Sequence, residues 1–400
     1  MIKKMLSVII CLSMLVGLSV CVCAQAEGSN ASSVEADVGE NNSSENSLVK
    51  AKAAILIDAD SGTVLYRLNE NKKLPLASVT KIMTMLLVME AIRDGKLRYE
   101  DKIACSKYAQ KMGGSQIWME EGEQFSVLEL LKATAVASAN DACALLGEAV
   151  AGSAQGFVKL MNDRAKELGM NNTHFDNCTG LDDTTEKQYS SAYDIAVMSR
   201  ELLKHKEILE YTTIWMDSLR GGKTELVNTN RLIRSYSGIT GLKTGTTSKA
   251  GFCISASATR SGTSLISVIL GSETSEERFE SAANLLDWGF ANFESVNPKI
   301  DIGKISKIEI VGGEEGEITP VFDKEAKILV EKGSSDGITM SIESPKSLSA
   351  PIEKGQKIGK LVFKLNGKTV GKIDLISSAN IKKLTYFTVL KKLLLGCVSK

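Results

Sequence analysis

PLASVTKIMTMLL, residues 75–87, is the stretch around which the rest of the chain can be read. Taken as the start of a helix, it carries Ser78 and Lys81 one turn apart. Residues three apart on a helix share a face, with Cβ atoms about 5–6 Å from each other. That spacing brings a hydroxyl and an amine into hydrogen-bond reach. A serine hydroxyl is a poor nucleophile unless a base takes its proton, and a lysine serves only when burial or a neighbouring cation lowers its pKa. Leu76, Ala77, Val79, Ile82, Met83, Leu86 and Leu87 supply the apolar setting such a lysine needs. A serine near a helix N-terminus also has backbone N–H groups close by to stabilise developing negative charge. The same Ser-x-x-Lys spacing occurs at Ser47–Lys50, and a capping serine beside a solvated lysine would look alike. The pair therefore gains its meaning from partners further along the chain.

A length of 400 residues suggests two domains with tails, and 43% apolar residues suffice for a core. Zero formal net charge argues against nucleic acid as the main partner. Met1–Ala26 has the form of a secretory signal: Lys3 and Lys4, the apolar run Met5–Val22, then Ala24-Gln25-Ala26 as a cleavage site. An uncleaved anchor is the other reading of that segment. Cys11, Cys21 and Cys23 lie within it, leaving Cys105, Cys143, Cys178, Cys253 and Cys397. An odd, scattered set without C-x-x-C spacing supports neither a disulfide framework nor a zinc site, so no metal or cofactor is expected. Export then places the protein outside the cytoplasm.

Residues 27–49 are rich in Ser, Asn and Glu, a composition that predicts a flexible spacer. Ala53–Ile57 and Thr63–Leu68 flank a turn-rich loop and predict a hairpin. Ser126-x-x-Glu129 is a capping box opening the helical run LELLKATAVA, which breaks at Ser138-Ala139-Asn140. Amphipathic helices are expected at Gly156–Leu168 and at Ser191–Lys204, the latter capped by Ser191 and Asp194. Lys243-Thr244-Gly245 is expected just before strands Gly251–Thr259 and Ser264–Leu270, an ordinary strand-entry turn being the other reading, and Glu276–Phe293 as a closing helix. Beyond that, short alternating runs separated by Gly-rich turns, with Asn366-Gly367 as a type I′ hairpin signal, predict a small all-β domain. The divisions expected are thus 1–26 signal, 27–49 spacer, 50–295 catalytic unit, 296–379 β-rich unit and 380–400 tail. In the tail, Tyr386, Val389, Leu390, Leu393, Leu394 and Cys397 share one helical face and Lys391 and Lys392 the other. That run is too short and charged to span a bilayer and suits a helix lying in the headgroup region, or one docked on its own domain.

Ser138-x-Asn140 is weak alone, since Ser44–Asn46, Ser295–Asn297 and Ser378–Asn380 share its pattern. Its place between two helical runs, however, can push both side chains into a cleft. Lys243-Thr244-Gly245 occurs once. Taken in order, Ser-x-x-Lys, Ser-x-Asn and Lys-Thr-Gly supply a nucleophile, a base, a proton relay and a cationic clamp for a carboxylate. This trio marks penicillin-binding proteins and β-lactamases. With ILIDADSGTVLY, GSQIWME, VASANDA, HFDNCTGLDD, YSSAYDIAVMSREL and TGLKTGTTSKAGFC beside it, residues from about 50 to 377 resemble the low-molecular-mass penicillin-binding proteins, the serine D-alanyl-D-alanine carboxypeptidases.

The resemblance implies an α+β fold of the penicillin-binding/serine β-lactamase type, an antiparallel sheet flanked by helices, followed by the small all-β domain and the amphipathic helix. It implies that Ser78 attacks the penultimate D-Ala carbonyl, that neutral Lys81 takes its proton, that Ser138 relays a proton to the leaving amine, and that Asn140 orients Lys81 and the substrate amide. Lys243 and Thr244 would hold the terminal carboxylate, Gly245 would let another backbone approach, and Thr246 N–H would join Ser78 N–H in an oxyanion hole. Arg278 would add a carboxylate contact. Thr246 stands where some relatives carry histidine. The implied partners are peptidoglycan stem peptides, with β-lactams as covalent inhibitors, and the outer face of the cytoplasmic membrane through the tail.

A β-lactamase shares the trio, but no Glu-x-x-x-Asn segment precedes Lys243. A non-catalytic penicillin-binding module is the other alternative, set against by the presence of every motif residue. A Ser-His-Asp hydrolase lacks its Gly-x-Ser-x-Gly elbow, and Gly367-Lys368-Thr369 lacks the glycine a phosphate loop needs, Val362 standing there.

Overall fold

The computed structural model describes residues 48–182, 187–298, 300, 305–322 and 326–390. The expected signal, most of the spacer and the second half of the tail lie outside these residues.

Five strands form one antiparallel sheet: β1 (Ala53–Asp58), β2 (Val64–Leu68), β3 (Ile239–Thr247), β4 (Gly251–Arg260) and β5 (Thr263–Ser272). Their spatial order is β2-β1-β5-β4-β3, so the first hairpin of the chain pairs with the last strand of the sheet. Ala53, Ile55 and Ile57 enter one core and Ala54 and Leu56 the other. Burial on both faces is the reason AAILID reads as a continuous apolar run rather than an alternating one.

One face carries most of the helices, α1 (Lys81–Arg93), α2 (Val127–Ala135), α3 (Asn140–Ala151), α4 (Ala154–Glu167) and α5 (Ala192–Leu202). The opposite face is covered by α6 (Ser275–Asn292), through Ala282, Leu285, Leu286 and Phe290. In α1 every residue from Lys81 to Met89 is buried, which fits a helix apolar all round and surrounded by protein. The expected caps are formed. Ser126 and Glu129 close a reciprocal capping box on α2, and Ser191 Oγ accepts from Asp194 N on α5; α6 has a further cap, Thr274 Oγ1 accepting from Glu277 N.

Two sequence expectations shift. Lys243-Thr244-Gly245 lies inside β3 rather than in a turn before a strand, because ITGLKTGTT is too rich in Gly and Thr to show strand alternation. Val49, assigned to the spacer, is buried against the α6 side of the sheet.

From the end of α6 the chain passes into β6 (Phe293–Val296). The β-rich part contains β7 (Ile308–Val311), β8 (Glu317–Ile318), β9 (Pro320–Phe322), β10 (Ile328–Glu331), β11 (Ile338–Glu343), β12 (Ser347–Ser349), β13 (Lys357–Leu365) and β14 (Lys368–Ser377). They form sheets of order β9-β14-β13-β11 and β8-β7-β12, while β10 pairs with β6. Asn366 and Gly367 both have positive φ (50° and 81°), as the predicted type I′ turn between β13 and β14 requires. Residues 386–390 begin a helix whose Tyr386 and Phe387 are exposed. Among the described residues no helix is long and apolar enough to cross a membrane.

Candidate active site

Ser78 lies in a single 3₁₀ turn, Ala77–Thr80, that leads directly into α1. The sequence expectation of one continuous helix is thus refined. A 3₁₀ turn eclipses side chains three apart, which aligns Ser78 with Lys81 more closely than an α-turn would. The turn is entered through Ala77 at φ 47°, a left-handed value uncommon for a residue with a side chain. The backbone of Gly180 is packed against it: a Cβ on Gly180 would lie 1.9 Å from Ala77 O, so only glycine fits there.

The Lys81 side chain is completely buried. Its Nζ lies 2.9 Å from Ser78 Oγ, 2.6 Å from Asn140 Oδ1 and 2.7 Å from the Thr179 carbonyl oxygen. Burial lowers the Lys81 pKa to about 8, against an opposing pull from the Cys143 and Cys178 thiols and Asp141. Burial, not Lys243, is therefore the main cause of the depressed lysine.

Asn140 opens α3, and the backbone before it turns sharply at Ser138, where φ is 59°. Asn140 donates from Nδ2 to Gly113 O at 2.6 Å and from its backbone N to Ser115 O at 2.7 Å. The loop around residues 113–119 is thereby fastened to the site. Ser138 is buried, and its hydroxyl makes no hydrogen bond among the described residues. The helical break brings both residues inward, as the sequence suggested.

β3 forms the opposite wall. As the edge strand of the sheet it runs past the Ser78 turn, and a Cβ on Gly245 would lie 2.8 Å from Leu76 O and 2.9 Å from Ser78 N. The glycine is required by this approach. Lys243 and Thr244 are both buried; Lys243 Nζ donates to Thr244 O at 2.9 Å, and Thr244 Oγ1 donates to Thr229 Oγ1 at 2.7 Å. Burial, then the charge of Lys81, pulls the Lys243 pKa well below the ordinary lysine range. Arg278 reaches from α6 to the same strand: its guanidinium donates to Thr246 Oγ1 at 3.1 Å and stacks 4.4 Å from the Phe279 ring centre. Its burial lowers its pKa to about 10, and its Nε is buried without a hydrogen-bond partner among the described residues. A buried amine on a hydroxyl, facing buried Lys243 on β3 and Arg278 on α6, suits acyl transfer from a substrate bearing a carboxylate.

The comparisons with known proteins agree. Residues 40–274 match the family described as D-alanyl-D-alanine carboxypeptidase, and residues 293–383 match the C-terminal domain of penicillin-binding protein 5. The chain belongs to the D-alanyl-D-alanine carboxypeptidase family. As a member it is a serine hydrolase acting as a D-Ala-D-Ala carboxypeptidase, and the β-lactamase and non-catalytic readings give way. D-alanyl-D-alanine carboxypeptidase DacF of Bacillus subtilis (strain 168) is 42% identical over 347 residues, covering 86% of this chain and 89% of that protein. Penicillin-binding protein 5 from Haemophilus influenzae has a solved structure with TM-score 0.73 and 31% identity, covering 86% and 100% of the two chains. The ampicillin-bound penicillin-binding protein D2 of Listeria monocytogenes gives TM-score 0.56 and 34% identity, covering 60% and 98%.

Several groups of this carboxypeptidase site escaped the sequence reading. The carbonyls of Thr179 and Gly113 hold Lys81 and Asn140, yet a backbone acceptor carries no side-chain signature. HFDNCTGLDD, quoted only for its resemblance, turns out to supply Thr179 and Gly180. Thr229, bonded to Thr244, gave no signal at all. Cys143 and Cys178 are both buried, and Cys143 Sγ donates to Cys178 O at 3.2 Å beside Lys81.

Proposed function

We propose that Ser78 is the nucleophile of this carboxypeptidase and that Lys81, as a free amine, is its base. The observation that carries this is the set of three neighbours around the buried Lys81 Nζ. A neutral amine has two N–H groups and one lone pair. Donating to Asn140 Oδ1 and Thr179 O uses both N–H groups and points the lone pair at Ser78 Oγ, ready for its proton.

In acylation the Ser78 oxygen bonds to the carbonyl carbon of the penultimate D-Ala and its proton passes to Lys81. Collapse of the tetrahedral adduct breaks the C–N bond, and the leaving D-Ala nitrogen takes a proton relayed through Ser138. Water then attacks the ester, with Lys81 again taking the proton, and Ser78 is restored. Backbone N–H groups of Ser78 and Thr246 would stabilise the oxyanion. Lys243 and Thr244 hold the terminal carboxylate, and that anion offsets the cost of a charged, buried Lys243. Gly245 gives the clearance for β3. Arg278 adds positive charge behind Thr246 and steadies its hydroxyl.

The domain division and the surroundings are part of the same proposal. Residues 50–295 form the peptidase and 296–379 a β-rich C-terminal domain. Met1–Ala26 directs export, and the tail from residue 380 attaches the enzyme to the outer face of the cytoplasmic membrane. Support for the last point comes from Tyr386 and Phe387, exposed by 78% and 79%, with Val389 and Leu390 also exposed. β-Lactams are proposed as covalent inhibitors, supported by the ampicillin-bound relative. The test is labelling with radioactive or fluorescent penicillin. Wild type should be labelled on the peptide containing Ser78 and release D-alanine from a stem pentapeptide, and Ser78→Ala should do neither while keeping its thermal transition. Label retained by Ser78→Ala overturns the assignment.

A further inference from the structure

Trp118 is 74% exposed, yet nothing about its surroundings is loose. Its neighbours Ile117 and Met119 are buried, and their backbone N–H groups donate to the Asp141 carboxylate at 3.1–3.2 Å. Asp141 is itself fully buried and follows Asn140 in α3. From the other side Arg220 donates to Ile117 O at 2.8 Å and to Trp118 O at 3.2 Å. Glu123 holds that guanidinium by two contacts, at 2.6 and 2.9 Å, and the Phe125 ring lies 4.9 Å from it. Trp118 adopts φ 56°, a left-handed conformation that an indole-bearing residue rarely takes. The loop thus presents the largest apolar side chain to water and prevents it from folding in.

This loop is also a wall of the active site. Gly113 O and Ser115 O are bonded to Asn140, and a Cβ on Gly114 would lie 2.6 Å from Asn140 Nδ2. Trp118 is four residues beyond Gly114, so the chain between them spans at most about 14 Å. The residue just before D-Ala-D-Ala lies one extended residue, about 3.5 Å of backbone, from the attacked one, and a long side chain there reaches further toward the loop. The loop bears no Lys or Arg between Gly113 and Gln124, while Glu120 and Glu121 are exposed and make no ion pair among the described residues.

We propose that Trp118 is a substrate-binding platform for the stem peptide upstream of its D-Ala-D-Ala end, stacking on an aliphatic side chain that ends in an ammonium group. The inference rests on the reading of Ser78 as the hydrolytic site. An indole face attracts a cation more strongly than other aromatic rings do, and its flat surface covers the methylene stem. The acidic residues beside it favour a cation over a neutral or anionic partner. Peptidoglycan stems supply such a group in the diamino acid that precedes D-Ala-D-Ala.

The test compares kcat/KM of wild type, Trp118→Ala and Trp118→Phe on three substrates. These are a stem pentapeptide with a free lysine ε-amine, its Nε-acetyl form, and N-acetyl-D-Ala-D-Ala. Trp118→Ala should lose about five- to thirty-fold on the free-amine pentapeptide, mainly in KM, from an interaction of about 1–2 kcal/mol. The acetylated form should cost wild type a similar factor and Trp118→Ala little more, and Trp118→Phe should retain part of the preference. An equal loss on all three substrates, or none on any, overturns the proposal. So does a loss that appears only when the glycan sugar is attached to the peptide. Binding is measured separately with Ser78→Ala, through the fluorescence change on adding free-amine pentapeptide that vanishes when Phe replaces Trp118. Absence of that change counts against Trp118, whereas absence of wild-type hydrolysis of N-acetyl-D-Ala-D-Ala counts against the Ser78 reading.

Discussion

Titrating the acylation reaction against pH tests the central claim that burial makes Lys81 a base. With its pKa lowered from 10.5 to about 8, the side chain should be roughly one-tenth free amine at pH 7 and nine-tenths at pH 9. Left at the ordinary value, it would be free base in only about one molecule in three thousand at pH 7. Burial therefore raises the population of the active form by a few hundred-fold at neutral pH, equivalent to about 3 kcal/mol. The sign follows from the role: a proton already on Nζ blocks transfer from Ser78, so the rate climbs as pH rises. Lys243 would add a second ionisation, because it must be charged to hold a carboxylate and burial lowers its pKa as well. An acyl-D-alanine methyl ester, which offers no carboxylate, removes that complication. Its kcat/KM should rise about ten-fold between pH 7 and pH 9, with a midpoint near 8. A profile flat over that range, or one still climbing above pH 10, would refute the argument. The first would mean that Lys81 is not the group titrating, the second that burial does not depress it.

Two further outcomes are expected. Lys243→Ala should lower kcat/KM on D-Ala-D-Ala peptides about ten- to a hundred-fold, the worth of a charge-assisted hydrogen bond. Amidating the substrate's C-terminus should cost wild type a similar factor but the variant little more, and full, independent losses would show that Lys243 does not read the carboxylate. Removing residues 384–400 from the processed protein should release it from membranes with peptidase activity retained, since each buried CH₂ contributes about 0.8 kcal/mol to attachment. Unchanged membrane fractionation would favour a tail docked on the β-rich domain.

Local features of this protein were legible from the chain because their physics is local. The Ser126–Glu129 capping box, the Ser191 cap and the Asn366-Gly367 hairpin need only neighbouring residues, and all three form as expected. The pairing of Ser78 with Lys81 belongs to the same class, since a helical turn alone aligns positions three apart, whether that turn is α or 3₁₀. The ordered motifs then pointed to one site without saying how it closes.

What closes it is long-range. The lowered pKa of Lys81 arises because α1 is enclosed on all sides, and its hydrogen bonds run to Asn140 and Thr179, which lie 59 and 98 positions away. Thr179 and Gly113 contribute carbonyl oxygens, which every residue possesses, so no residue type could have announced them. The place of Lys243-Thr244-Gly245 within an edge strand depended on the strand order β2-β1-β5-β4-β3, which joins distant segments of the chain. Trp118 is the reverse case. A residue type cannot announce an exposed indole, and the contacts of Asp141 and Arg220 with the backbone of residues 117–119 hold its loop in the form that leaves it in water. Residue identity sets which groups can react, whereas desolvation and backbone placement, which arise only when remote segments pack, decide which of them do.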